Sequence, residues 1–210
     1  MPDWKEKVPL VHYSNVFAAL DRNEIAARCN IACVPQTEAG CRFLIRLMGK
    51  EYAVEHPVFA VSGPDELSVS EKIIILRYLC EGRYIPFAGK ALSYREIPWG
   101  ELYFRNFEGR CIFKIRRLFG DKPEALEKIM IDGGGALKAE KLPQSSFAWR
   151  FEFISNLYIS VLLWPGDDEF PASAQVLFDD NVSAAFSAED LAFVGEIVAA
   201  RLKTANEAGN

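Results

Sequence analysis

The clearest hydrophobic rhythm lies in the last third of the chain. In "FAWRFEF", Phe147, Trp149, Phe151 and Phe153 alternate with Ala148, Arg150 and Glu152, the period-two pattern of a strand with one buried face. Ser155-Asn156 offers a tight turn into "LYISVLLW", and "AQVLF" returns as a third strand. Ser187 is placed to cap "AEDLAFVGEIVAARLK", where Leu191, Val194, Ile197 and Val198 share one apolar face. Phe186 and Leu191 have the spacing of a hydrophobic staple across that helix start.

Earlier in the chain the period lengthens. "SNVFAAL" reads as a short helix, and "DRNEIAARC" as a second one opened by Asp21 and Glu24. Ile25 and Cys29, four apart, fall on one face of it. "CRFLIRLMGKEYAVEHPVFAV" reads as a hairpin with its turn around Gly49-Lys50. His56-Pro57 interrupts the second strand or puts it at an edge, because proline cannot donate to a ladder. In "LSVSEKIIILRYLCEG", Ser68 and Glu71 form a capping box and Gly82 stands at the end of the helix. Ser93 and Glu96 repeat the box before "YREIPWGELYFRNFEG", whose Pro98 and Gly100 disturb the first turns. Ile112, Ile115, Leu118 and Phe119 recur at helical spacing in "CIFKIRRLFG", stopped by Gly120. "DKPEALEKIMIDGGG" is a further helix, opened by Asp121 and Glu124 and ended by the glycines 133 to 135, which follow a helix and so form a stop with a mobile loop rather than a phosphate cradle.

These elements predict an α+β fold: a largely antiparallel sheet built from hairpins and packed against several helices. No repeat or long linker divides the chain, so residues 1–210 are expected to form a single domain, with an aromatic-rich three-stranded portion over 147–181 and a helix over 187–203.

Composition narrows the function classes. The chain has 210 residues, half of them hydrophobic, with a net charge of −5. That balance argues against broad nucleic-acid or anionic-membrane binding, both of which need a basic face. The opening "MPDWKEKVPL" lacks the order of a signal peptide, and the longest apolar runs are too short to cross a bilayer. A soluble, cytoplasmic protein is expected. The five cysteines are an odd number with no C-x-x-C pair, so reduced thiols in the core are the ordinary reading. A thiolate site from Cys29, Cys33 and Cys41, with His12 or His56 as a fourth ligand, is the sharper one. No G-x-S-x-G, H-E-x-x-H or phosphate-loop motif occurs. Neither histidine has a Ser or Cys motif beside it, and the balance leans away from an enzyme.

Two charged groups invite a functional reading. Arg110, Lys114, Arg116 and Arg117 gather in an acidic chain and could hold a phosphate or carboxylate, with Trp149 and Trp164 lining the pocket. Set against this is a solvated helix face whose cations sit near the C-terminal end, where the helix dipole favours them. Asp167, Asp168 and Glu169 would suit a hard cation, but Pro165-Gly166 and Asp167-Asp168 are also ordinary turn chemistry. Across the expected hairpin, Asp179 and Asp180 lie roughly 20 Å from that loop at about 3.4 Å per residue, so the two acidic clusters cannot share one ion.

"LLWPGDDEFPASAQVLFDDN" followed by "SAEDLAFVGE", together with "SEKIIILRYL", "SYREIPWGELYFRNF" and "RRLFGDKPEAL", resembles a family of unknown function found chiefly in anaerobic bacteria and archaea. The resemblance runs from about Ser14 to about Leu202. Some members follow a cysteine-rich iron–sulfur segment, which implies anaerobic redox or corrinoid-linked metabolism. The present 210 residues contain no such segment, and the family carries no residue roles to transfer. The leading expectation is an accessory protein binding a small anionic ligand or a redox protein partner, with no cofactor identified. A metal-dependent enzyme using the acidic loop and a structural subunit of a complex are the alternatives.

Overall fold

The computed structural model describes residues 4–38, 40–132 and 137–208. Helix α1 (Trp4–Ala19) is longer than the hydrophobic pattern from Ser14 suggests and runs through Pro9. It packs on α3 (Val69–Glu81). Helix α2 (Arg22–Cys29) starts where expected, because the Asp21 carboxylate accepts from the Asn23 and Glu24 amides at 2.8 and 3.0 Å. Its last turn caps another helix: Arg28 donates to the Leu79 carbonyl at 2.7 Å and to that of Gly82, at the end of α3. The Ser68–Glu71 capping box opens α3 as the sequence predicts.

Strand β1 (Cys33–Pro35) precedes a hairpin of β2 (Cys41–Leu47) and β3 (Lys50–His56). The reversal falls at Met48-Gly49, one residue before the Gly49-Lys50 expected, with φ of 45° and 77°. A two-residue hairpin loop of type I′ needs positive φ at both central positions, and Leu47 then faces Lys50. Pro57 does end the strand, but β3 is not an edge. The chain folds back as β4 (Ala60–Ser62), which covers β3 on its far side.

Between β5 (Ala91–Ser93) and α4 (Gly100–Phe107) the sequence overstates the helix. The Ser93–Glu96 box opens only a 3-10 turn over Tyr94–Glu96. Trp99 takes φ 67°, and a side chain at Gly100 would strike the Tyr94 carbonyl, so the helix restarts there on a glycine. A π-helical turn, Glu108–Ile112, joins α4 to α5 (Phe113–Phe119), and α6 (Pro123–Asp132) follows. The expected glycine stop at 133 to 135 lies outside the described residues.

The C-terminal strands form as predicted: β7 (Phe147–Ile154), β8 (Leu157–Trp164) and β9 (Ser173–Asp179), with the short β6 (Glu140–Lys141) beside β7. A 3-10 turn, Asp180–Ala184, leads to α7 (Ala188–Ala208), whose start is capped reciprocally by Ser187 and Asp190. Leu191, Val194, Ile197 and Val198 are all buried, as their spacing requires. At Gly195 an added methyl would lie 2.6 Å from Phe107 and 3.0 Å from Cys111. The glycine is therefore what lets α7 cross α4 and the π turn closely.

The strands form one antiparallel sheet in the order β4-β3-β2-β7-β8-β9-β5, with β1 on β2 and β6 on β7. Its two halves meet at a narrow seam. Leu47 opposite Ile154 is the one paired position between β2 and β7. Hydrogen bonds from Met48 N to Phe153 O at 2.8 Å and from Ser155 N to Arg46 O at 3.0 Å flank it. One hydrophobic cluster nonetheless reaches from Phe17 through Tyr78 and Phe107 to Leu202. The α+β class is thus observed: helices on an antiparallel, hairpin-built sheet.

Candidate anion-binding cleft

Helix α5 buries Ile115 and Phe119, which turns the intervening positions outward. Lys114, Arg116 and Arg117 line one open cleft of about 560 Å³ with Phe113, Asp121 and Pro171. Of the basic residues flagged by the sequence, Arg110 is the one that points elsewhere. It and Lys114 reach Glu196 on α7, at 3.7 and 3.2 Å. Lys114 thus lines the cleft while paired. Arg116 stacks over the Phe113 ring at 5.0 Å from its centroid. Neither Arg116 nor Arg117 has a carboxylate at ion-pair distance among the described residues. Both lie in the last turn of α5, where its carbonyl ends favour cations. The cleft is therefore a cationic rim with two guanidinium groups that have no carboxylate partner among the described residues.

Trp164 lines an adjoining cleft of about 340 Å³ with Phe104, Ile112 and Gln175. Trp149 does not line either cleft: it is 1% exposed and belongs to the core, because the inward face of β7 carries it there. Arg95 on the rim of the second cleft stacks 3.7 Å over Phe104 and pairs with Glu101 at 2.5 Å.

The acidic loop serves its own turn. One Asp167 oxygen accepts from the Glu169 and Phe170 amides at 2.9 and 2.7 Å, and these bonds hold its carboxyl below the usual carboxylate range. Asp168 and Glu169 are exposed. At the other end of β9, Arg150 donates twice to Asp179, at 3.1 and 2.5 Å. Asp180 accepts from the Ala88 and Lys90 amides, both at 3.1 Å. Among the described residues no group of three or more His, Cys, Asp or Glu side chains is gathered as a metal ion would need.

Cys33 and Cys41 meet, but the three candidate cysteines do not gather as one site among the described residues. Cys29 donates weakly to the Tyr78 and Gly82 carbonyls, at 3.4 and 3.5 Å, and burial pushes its thiol up to about 11. Cys41, fully buried, is raised to about 12 by burial and by its hydrogen bond with Cys33. His56 is taken up by the Phe17 and Leu20 carbonyls, at 3.2 and 3.0 Å, and His12 packs edge-on against Tyr13.

One charged cluster joins residues far apart in the sequence. Arg201 on α7 meets Glu71 at 2.5 Å, Asp65 at 2.6 Å and the Tyr52 hydroxyl at 3.2 Å, while Lys50 reaches Asp65 at 2.9 Å. Burial alone would raise the Asp65 carboxyl, but hydrogen bonds from Tyr52, Lys50 and Arg201 hold it at about 2. Tyr52 is pushed up to about 12 by burial and its bond to Asp65. Glu71 has two duties, capping α3 with one oxygen and binding Arg201 with the other. Its capping spacing was visible; the partner 130 positions away had no local signal.

The fold and site together define an α+β protein with an open cationic cleft beside one end of a nine-stranded sheet. The chain belongs to the family described as a domain of unknown function (DUF3786), which matches residues 21–201. No curated protein and no solved structure matches it. Among the described residues no helix is long and apolar enough to cross a membrane.

Proposed function

We propose that this protein is an accessory binding protein that takes a small anionic ligand, bearing phosphate or carboxylate, in the cleft at the end of α5. The observation that carries the reading is the pair Arg116 and Arg117, adjacent on one helix turn, lining one cleft and lacking carboxylate partners among the described residues. Guanidinium groups bind such anions through paired, charge-assisted hydrogen bonds. Lys114 adds a third cation, moderated by Glu196. The setting we infer, anaerobic redox or corrinoid-linked metabolism, rests on the sequence resemblance alone. A cytoplasmic location is supported by five free thiols, which suit a reducing compartment.

The test is calorimetric titration with inorganic phosphate, pyrophosphate and citrate at low salt, on the wild type and on Arg116→Ala/Arg117→Ala. Each charge-assisted bond contributes about 1.5–3 kcal/mol, so the double variant should bind at least about tenfold more weakly. Equal binding by the two proteins, or no binding of any probe by the wild type, refutes the reading.

A further inference from the structure

Among the described residues, the strand order leaves the first part of β9 without a paired strand on one side. Strand β5 pairs only with Leu177, Phe178 and Asp179. It leaves the sheet after Ser93 because the Ser93–Glu96 box turns the chain into a 3-10 turn. Strand β8 pairs with all of Ser173 to Phe178 on the other side. The first residues of β9 therefore have one satisfied edge and one open edge.

Which peptide groups face the open edge follows from two hydrogen bonds. Asp180 N donates to Lys90 O at 2.9 Å, so even-numbered residues at this end turn toward β5. Ser145 Oγ donates to Leu163 O at 2.5 Å on the β7 side, so the even-numbered residues of β8 face β9 and bond to its odd-numbered ones. Both assign the Ala174 N–H and C=O to the open edge. Ala174 is half-buried and lines the cleft that holds Trp164, Phe104 and Ile112. That cleft and the cationic one are lined by neighbouring positions of the same elements: Ala174, Glu108 and Ile112 line the first, and Ala172, Gly109 and Phe113 line the second.

We infer that this composite groove docks an extended segment of a partner polypeptide, which adds to β9 in line with β5. An unpaired strand edge beside side-chain pockets is recognised by a peptide backbone in strand-addition complexes. A segment continuing the direction of β5 runs antiparallel to β9, from Ser93 toward Ala172. Its C-terminal end then arrives at Arg116 and Arg117, which calls for acidic residues or the terminal carboxylate there. Its alternate side chains fall to the two sides of the sheet edge, with Trp164 and Phe104 available to an apolar one. The acidic end rests on the anion-binding reading above; the strand pairing rests on β9 alone.

The experiment selects short random peptides with free C-termini against the wild-type chain, then measures them on three variants. Ala174→Pro removes the open-edge donor without touching the β8 ladder, which proline tolerates at an edge. Arg116→Ala/Arg117→Ala removes the cations, and Trp164→Ala the aromatic wall. The expected result is peptides with an apolar residue followed by an acidic C-terminal end. They should bind Ala174→Pro about tenfold more weakly, the loss of roughly one backbone hydrogen bond and its geometry. Their salt dependence should fall in the arginine double variant. In the wild type, saturating peptide should protect the Ala174 amide from hydrogen exchange, a readout that stands even if the proline variant misfolds. Recovery of no peptide, equal binding to Ala174→Pro, or an unprotected Ala174 amide overturns the proposal. Pyrophosphate binding measured on the same variants separates the two ideas: retained by Ala174→Pro and lost by the arginine variant, it leaves the anion site standing while strand addition falls.

Discussion

Replacing Arg201 with Met removes the cation that Glu71 and Asp65 share. Glu71 is 5% exposed, and without Arg201 it keeps the Ser68 cap. Asp65 keeps Lys50 and Tyr52. Removing one partner of a fully buried ion pair costs about 3–5 kcal/mol. Here the Arg201 and Asp65 side chains are 19% and 34% exposed, so solvent screening lowers the expected loss to about 2–3 kcal/mol. That is a large share of the roughly 5–15 kcal/mol that holds a domain together. Urea unfolding followed by fluorescence would read it as a lower midpoint with an unchanged slope. The pH dependence provides a second signature. Asp65 is depressed from 3.8 to about 2, so its contribution is fully present above the unfolded value and is lost as pH falls from about 4 to about 2. Full linkage would give about 2.5 kcal/mol, and screening at a side chain one-third exposed leaves about 1 kcal/mol. Because Arg201 is one source of that depression, the variant should lose less of its remaining stability over this acid range than the wild type does. A stability loss below about 0.5 kcal/mol, the range of ordinary surface substitutions, or an identical acid profile, would refute the network's role.

Two further outcomes follow from packing. Gly195→Ala places a methyl 2.6 Å from Phe107; overpacking of about 1–3 kcal/mol outweighs the roughly 1 kcal/mol gain in helix propensity, so urea unfolding should show a net loss and an unchanged or raised midpoint would be inconsistent with the close crossing. Alkylation of the native protein near pH 8, read by peptide mass spectrometry, should modify half-exposed Cys33 well before Cys29 and Cys41, whose thiols burial raises to about 11 and about 12, and equal labelling of all three would contradict the packing described.

Local signals carried much of the fold. The alternation in "FAWRFEF" and the Ser155-Asn156 turn specify the β7–β8 hairpin because a strand's period of two leaves one register that buries Phe151 and Phe153. The cap at Ser68 specifies its helix start for the same local reason. Legibility failed where the deciding partner was distant or the local cue ambiguous. Ser93 and Glu96 make their box, yet the helix waits for Gly100 because Trp99 is left-handed and Tyr94 crowds the backbone. The turn at Met48-Gly49 moved one residue because β3 starts at Lys50. At the candidate cleft, the sequence placed Lys114, Arg116 and Arg117 on one helix, the two arginines in its last turn. It could not see Glu196 drawing Arg110 away, Trp149 entering the core, or Trp164 opening a second hollow beside the first.

The seam between β2 and β7 makes the sheet two leaves on a common spine. A single paired position and its flanking hydrogen bonds are too few for the ladder to make both leaves one cooperative unit. Their coupling falls to side chains and helices. The Tyr78 hydroxyl ties the Cys29 and Ser155 carbonyls together at 3.0 and 2.9 Å. Helix α3, packed on α1 and α2, meets α7, packed on α4 and α6. The spine is thus fastened from its sides: the Tyr78 hydroxyl and the contact of α3 with α7 join the two leaves where the ladder at Leu47 and Ile154 is short.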